Sequence, residues 1–210
     1  MKLYKLTNKD GFTRPGMSNA CLWGPRVSHS GTGKGDLCGP GYIHAYTSPY
    51  LAVLLNPIHA NMNPCRLWEA EGDVIKNDKG LKVGCVTLTT IKEIPLPEFT
   101  NEQKIYFALL CAAEVYKDSD FLAFVHNWVT GKDRSAEAAA RAAAWTAWTT
   151  TRTTAEAAAR AAAWAAWAAA RTAEAAARAA ARAAEAAGIA VVNLDLNLLA
   201  EKAYKFERRD

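Results

Sequence analysis

Four histidines and five cysteines are the first residues to weigh for chemistry in this 210-residue chain. Cys38 with His44, or His59 with Cys65, pairs a thiol with an imidazole, the donor types that hold zinc. A closed zinc site takes four such ligands, and no second pair stands at finger-like spacing. These residues therefore read as structural or solvent-exposed, and no metal is expected. The run from Gly31 to Gly41 carries Lys34 among five further glycines, counting both ends, and backbone N–H groups beside a lysine suit an anion. It lacks the G-x-x-x-x-G-K-[ST] spacing of a phosphate-binding loop and reads as a mobile surface loop. Glu69 and Glu71 share a strand face with Asp73 just beyond, but no acid–base partner is identifiable for them. His126 falls beside an apolar helix face and reads as a packing residue. No Ser-His-Asp or Cys-His set can be singled out, so no catalytic residue is assigned.

A different chemistry is written from Ser135 to Ala187, where alanine is interrupted by Glu, Arg and Trp at steps of three or four residues. That spacing puts the interruptions along one side of an α-helix. The unit Glu137-Arg141-Trp145-Trp148-Arg152 recurs as Glu156-Arg160-Trp164-Trp167-Arg171, then in degenerate form as Glu174-Arg178-Arg182-Glu185. Each unit opens with Glu four residues before Arg, the favoured order for an ion pair, and Arg–Trp steps of four suit cation–π contacts. As one helix the array would be about 80 Å long. Thr149 to Thr154 is its weak point, because β-branched residues lower helix propensity. Four of the seven tryptophans lie here. Exposed together they would form a large apolar patch, so Trp145, Trp148, Arg152, Arg160, Trp164, Trp167 and Arg171 read as a packing or partner surface. The alanine side would let a second helix approach closely.

The elements that must position these residues follow from local signals. Lys2 to Leu6 reads as a strand, residues 8 to 41 as loop, and Tyr42 to Tyr46 as a second strand. Ser48-Pro49 supplies an N-cap and a first-turn proline for a helix through Leu55. Cys65 to Glu71 and Leu81 to Ile94 read as strands around the turn Asn77-Asp78-Lys79-Gly80. Thr100 and Gln103 form a capping box for a helix to about Tyr116. Asp120 opens a shorter helix with Phe121, Phe124, Val125 and Trp128 on one face, ended by Gly131. Beyond Gly188, residues 193 to 206 read as a last helix with Leu194, Leu198, Leu199 and Ala203 inward.

Composition bounds the rest. The net charge of +4 is too mild to demand nucleic acid. Met1-Lys2-Leu3-Tyr4 leads into a strand-like run rather than a signal peptide, and no stretch reads as a membrane span. An odd number of cysteines without C-x-x-C reads as reduced thiols, hence a cytoplasmic protein.

Two resemblances rest on these residues. Cys38-Gly39-Pro40-Gly41-Tyr42-Ile43-His44-Ala45, then Leu67-Trp68-Glu69-Ala70-Glu71-Gly72-Asp73 and Lys82 to Ile94, resembles an uncharacterised phage and bacterial domain family. In that family a small α+β domain precedes pentapeptide repeats or Ala-rich repeats studded with Trp, Arg and Glu. The resemblance covers residues 1 to about 95 and carries no activity; it implies a phage or prophage accessory protein, a class rich in inhibitors of host immunity. The order of elements around Leu3-Tyr4-Lys5-Leu6, Ile43 to Thr47, the helix with Ala52 and the strands ending at Ile94-Pro95 is also similar to ADP-ribosyltransferases and RNA 2′-phosphotransferases. That similarity implies a nucleotide pocket at Tyr4, His44, Tyr46, Thr47 and Ser48. The first strand holds no His or Arg and no Glu stands clearly at the catalytic position, so binding is implied rather than turnover.

The expectation is thus an α+β chain, with a small mixed-sheet domain over 1–98 and a helical region over 99–210. The array at 135–187 forms a long helix or helical hairpin within the second. In function it is a phage accessory protein that acts by binding, inhibiting a host defence factor through protein contacts. The alternatives are an ADP-ribosyltransferase-like nucleotide-binding protein or enzyme, and a structural component of a phage particle. The expected partner is a protein, or a second copy through the Ala-rich helix, with a small nucleotide as the other candidate. No cofactor, membrane or nucleic acid is expected, and the location is the cytoplasm, that of the host if the protein is phage-encoded.

Overall fold

The computed structural model describes residues 1–141, 162, 173–190 and 194–207, and the chain divides into two compact units, Met1–Glu98 and Phe99–Asp210. The chain is α+β, with strands in the first unit and helices dominating the second.

In the first unit the strands are β1 (Lys2–Asn8), β2 (Phe12–Thr13), β3 (Cys21–Leu22), β4 (Val27–Ser30), β5 (Ile43–Ala45), β6 (Cys65–Asn77) and β7 (Val83–Ile94), with helix α1 (Pro49–His59) after β5. Every pairing among the described residues is antiparallel. The long hairpin β6–β7 is the spine. Its turn is held by the Asn77 carboxamide oxygen, which accepts from the Gly80 amide at 2.8 Å. One edge of the spine carries β1, with Leu3 opposite Ala70 and Lys5 opposite Trp68. The other edge of β7 carries β5 at Val83–Cys85 and β4 at Thr87–Thr90.

The sheet does not lie flat. Register shifts between Glu69 and Ala70, Gly72 and Val74, and Val74 and Lys76 bend β6, as bulges do. Gly72 sits at this bend because a Cβ there would lie 2.6 Å from the Thr87 carbonyl oxygen. Just past β5, Tyr46 exchanges two backbone bonds with Tyr4, each 2.9 Å, so the ladder β1-β6-β7-β5 returns to β1. Leu3, Ala45, Ala70, Val83, Cys85 and Leu88 fill the interior together with Trp23. Successive strand residues alternate faces, so Lys5 shares the inward face of Leu3.

Helix α1 starts as its sequence dictates, with the Ser48 hydroxyl accepting from the Leu51 amide and Pro49 in the first turn. It runs one turn past Leu55, through Pro57 to His59. The Asn56 side chain then fixes the exit, donating to the Met62 carbonyl and accepting from the Met62 amide.

In the second unit, α2 (Asn101–Val115) packs against α4 (Ala173–Ala190) and α5 (Leu196–Tyr204), and α3 (Ser119–Val129) follows it in the chain. The capping box forms: Thr100 Oγ1 accepts from the Gln103 amide and Gln103 Oε1 accepts from the Thr100 amide. The same Gln103 side chain donates through Nε2 to the carbonyls of Tyr204, at 2.7 Å, and Phe206. Asp118 caps α3 two residues before the expected start, and Phe121, Phe124, Val125 and Trp128 form its buried face. His126 is exposed, not packed, because it lies on the opposite side of that helix. Helix α4 passes through Gly188 rather than ending there, buries Ala179, Ala180, Ala183, Ala184 and Ala187, and turns Arg182 outward. Asp195 caps α5, which delays its start to Leu196; Leu196, Leu199, Ala200 and Ala203 point inward and Leu198 is exposed. No helix among the described residues is long and apolar enough to cross a membrane.

Candidate anion-binding cleft

Lys5 is the side chain that the first unit has most reason to avoid burying. It is 8 % exposed, its Nζ donates to the His44 carbonyl at 2.6 Å, and it lies 5.2 Å from the centre of the Trp23 ring. Among the described residues no carboxylate forms an ion pair with it. Burial pushes its pKa down to about 8, with Arg14 adding to that effect. An ammonium taken from water without a counter-charge is costly, so the fold holds a cation it does not itself neutralise.

Two further cations are brought beside it by separate elements. The ribbon β2–β3 sets Arg14. Asn8 Oδ1 accepts from the Phe12 amide at 2.7 Å to start the ribbon, and Trp23 Nε1 donates to Thr13 Oγ1 to close it. Gly11 belongs there because its φ is +87° and a Cβ would sit 2.8 Å from the Trp23 carbonyl oxygen. Arg14 itself adopts φ +52°, in the left-handed region that L-residues rarely occupy. Lys82 stands in the turn just before β7 and pairs with Asp78 at 3.5 Å, its side chain 13 % exposed.

The remaining wall is aromatic. Tyr46 stacks on His59 with ring centres 6.1 Å apart, and its hydroxyl lies 3.3 Å from His59 Nδ1. Burial lowers the His59 pKa to about 4, helped by Lys82, and raises that of the Tyr46 phenol. His44 is likewise held below its ordinary value, first by burial and then by Lys5, Lys82 and Arg14, although its bond to Leu37 works the other way. That bond joins Nε2 to a carbonyl, which only accepts, so Nε2 carries the proton.

Together these groups line a cleft of about 510 Å³, roofed by the turn Ala60–Asn63 at the exit of α1. Its described lining includes Lys5, Arg14 and Lys82 but no Asp or Glu. Lys82 is already paired with Asp78, which also acts against the lowering at His59. Among the described residues Lys5 and Arg14 are therefore the cations that attract an anion, and Arg adds the planar fork that fits phosphate oxygens. Tyr46 is itself buried against His59, so the half-buried His59 ring is the more open of the two. Its described lining residues include no cysteine either.

Of the residues expected to bind a nucleotide, His44 and Tyr46 line the cleft. Tyr4 meets Tyr46 through its backbone, but its side chain lies on the opposite strand face from Lys5. Ser48 is occupied as the helix cap, and neither Ser48 nor Thr47 is among the lining residues. Lys34 is not part of the cleft either. Its loop is drawn closed by bonds from Gly33 to the Gly41 carbonyl and from the Tyr42 hydroxyl to the Gly33 carbonyl. Glu69 faces Lys2 at 3.1 Å and Lys92 at 4.0 Å, a surface arrangement. Cys65 neighbours the Asn56 amide, and all five cysteines are free thiols. The stripe from Trp145 to Arg171 lies outside the described residues.

Lys5, Arg14, His59 and Lys82 are the site residues that sequence reasoning did not assign to a pocket. One signal for Lys5 was available, since it interrupts an inward series running from Leu3 to Thr7. No protein-family model, curated protein or solved structure matches the chain.

Proposed function

We propose that the first unit is a binding module that captures a small phosphate-bearing ligand of the nucleotide class and does not turn it over. The observation that carries this is Lys5, a buried ammonium with no carboxylate partner among the described residues, facing a cleft that also receives Arg14 and Lys82. An anion supplies the missing counter-charge, and the half-buried His59 ring is the aromatic surface beside it. In the phage setting that the sequence resemblance implies, such a module acts by sequestration, holding a nucleotide away from whatever host factor reads it.

The test is a thermal-shift titration of the full chain with ADP-ribose, NAD and cyclic nucleotides. A ligand that binds only the native state raises the melting temperature; at about 100 times its dissociation constant it adds about 2.7 kcal/mol. Lys5→Met should abolish the rise without lowering the melting temperature of the free protein, because it removes a buried charge and keeps the volume. Absence of any shift at millimolar ligand overturns the proposal. Protein contact through the Trp–Arg stripe, inhibiting a host factor directly, would then be the reading left to pursue.

A further inference from the structure

We infer that Lys5 is a nucleophile as well as a charge, and that its amine forms a reversible imine with a small aldehyde or ketone carrying a carboxylate or phosphate. The step needs no aromatic face and does not depend on nucleotide capture. A second hollow of about 190 Å³ adjoins the cleft, and the two share Lys5, Thr13, Arg14 and His44. Lys5 therefore borders both spaces although it is only 8 % exposed. The smaller space suits a molecule of a few carbons, and neither has an Asp or Glu among its described lining residues.

The setting of the amine is one that makes a lysine reactive. Arg14 on the loop after β2, Cys21 on β3 and Cys85 on β7 bear on its charge, and His44 and Lys82 line the same cleft. Burial and Arg14 both favour the neutral amine, the only form with a lone pair to give. That amine can keep its bond to the His44 carbonyl through one N–H while the lone pair attacks a carbonyl carbon. The π pair moves to oxygen, one proton passes from nitrogen to that oxygen, and a carbinolamine results. The C–O bond then breaks, the oxygen leaves as water with a second proton from nitrogen, and C=N remains. Water reverses the step, and no oxidant or reductant takes part. Thr13 Oγ1 accepts from Trp23 Nε1, so its own hydroxyl proton is left for the carbonyl oxygen in either hollow. Arg14 meets the anionic group with its planar fork.

The test incubates the full chain separately with pyruvate, glycolaldehyde phosphate and neutral acetone in the presence of cyanoborohydride, which reduces an imine to a stable amine. Peptide mass mapping then locates the modified lysines, each heavier by the carbonyl compound less one oxygen atom. At neutral pH Lys5 holds on the order of a hundred times the neutral amine of an ordinary lysine. A less basic amine attacks more slowly, so at least one anionic compound should label Lys5 about tenfold ahead of any other lysine. The faster of the two shows whether a carboxylate or a phosphate fits. The chain unfolded in guanidinium chloride should lose that preference. Arg14→Gln should cut labelling by the anionic compounds about tenfold, the worth of one charged hydrogen bond, and change acetone labelling less. Labelling spread evenly over the lysines, a preference for Lys5 that survives unfolding, or equal effects of Arg14→Gln on acetone and the anions would overturn the imine site. Selective labelling of Lys5 without any nucleotide-induced thermal shift keeps the imine and removes nucleotide capture, and the opposite pair of results does the reverse.

Discussion

The two units differ in how deeply they bury charge. In the helical unit three described cations pair near the surface with carboxylates, Lys205 with Glu201 at 2.5 Å, Lys117 with Glu114 at 3.9 Å and Arg141 with Asp133 at 3.7 Å, while Arg134 lies over the Trp128 ring and Lys104 is only half-buried. Such exposed pairs contribute little to stability. The interior of that unit is left to Phe107, Leu109, Cys111, Leu196, Leu199 and alanines. The first unit also pairs exposed charges, Lys2 with Glu69 and Arg66 with Glu93, but it buries Lys5, and among the described residues neither Lys5 nor Arg14 has an acid for a partner. Folding alone rewards the helical pattern. It does not reward an unneutralised ammonium under a sheet, and that asymmetry is what supports the proposed ligand site.

The comparison breaks most sharply in the cores. Phe107→Ala, in the fully buried face of α2, should cost about 3–5 kcal/mol, read by urea unfolding followed by helical circular dichroism. Under the same assay Lys5→Met should show no loss. A substantial loss from Lys5→Met beside a small one from Phe107→Ala would reverse the assignment of which unit carries strain.

An intermediate effect is expected from pH. The folded pKa of Lys5, about 8, lies below its ordinary 10.5. Between these values the unfolded chain binds more protons than the native one, so this group makes stability rise with pH across that window. The stabilisation is complete above 10.5 and is lost as pH falls through 8. Nucleotide binding should run the other way, weakening as the ammonium is lost above about 8. Melting temperature and affinity measured at neutral pH and near pH 9.5 should therefore move in opposite directions in wild type. In Lys5→Met the contribution of this group to both trends should vanish. Parallel trends in wild type would remove Lys5 from the ligand's surroundings.

The smallest effect belongs to the helical unit's local signals. Thr100→Ala removes one half of the capping box and should cost about 1 kcal/mol in the same unfolding assay. The change leaves the cleft residues untouched, so nucleotide affinity should stay level. A matching drop in affinity would mean that the two units do not keep their tasks separate.

Much of the fold was readable because its signals are local. The Ser48-Pro49 start, the Asn77–Gly80 turn, the Thr100–Gln103 box and the apolar face of α3 are each decided within a few residues. The strands β2, β3 and β4 were not readable: they are two to four residues long and exist through partners such as Thr89 and Thr90, far along the chain. The extension of α1 past Pro57 was hidden for a related reason. Asn56 holds the exit through Met62, a contact six residues away that no capping signal announces. The cleft suffered most. Its cations come from β1, the loop after β2 and the turn before β7, so no spacing rule connects residues 5, 14 and 82. His44 and Tyr46 were found because they flank a strand-to-helix corner, while Ser48, beside them, is committed to its cap.

Gln103 binds the front of the helical unit to its back, one face of its carboxamide serving the first turn of α2 and the other the carbonyls of Tyr204 and Phe206. Phe99 packs edge-on against Tyr204 at 5.3 Å, so the entry and the exit of this unit lie side by side. A module whose two ends meet is portable. It can be inserted into a surface loop of another protein, or have its helices reordered by joining the old ends and opening new ones elsewhere, without moving the host's flanking residues apart.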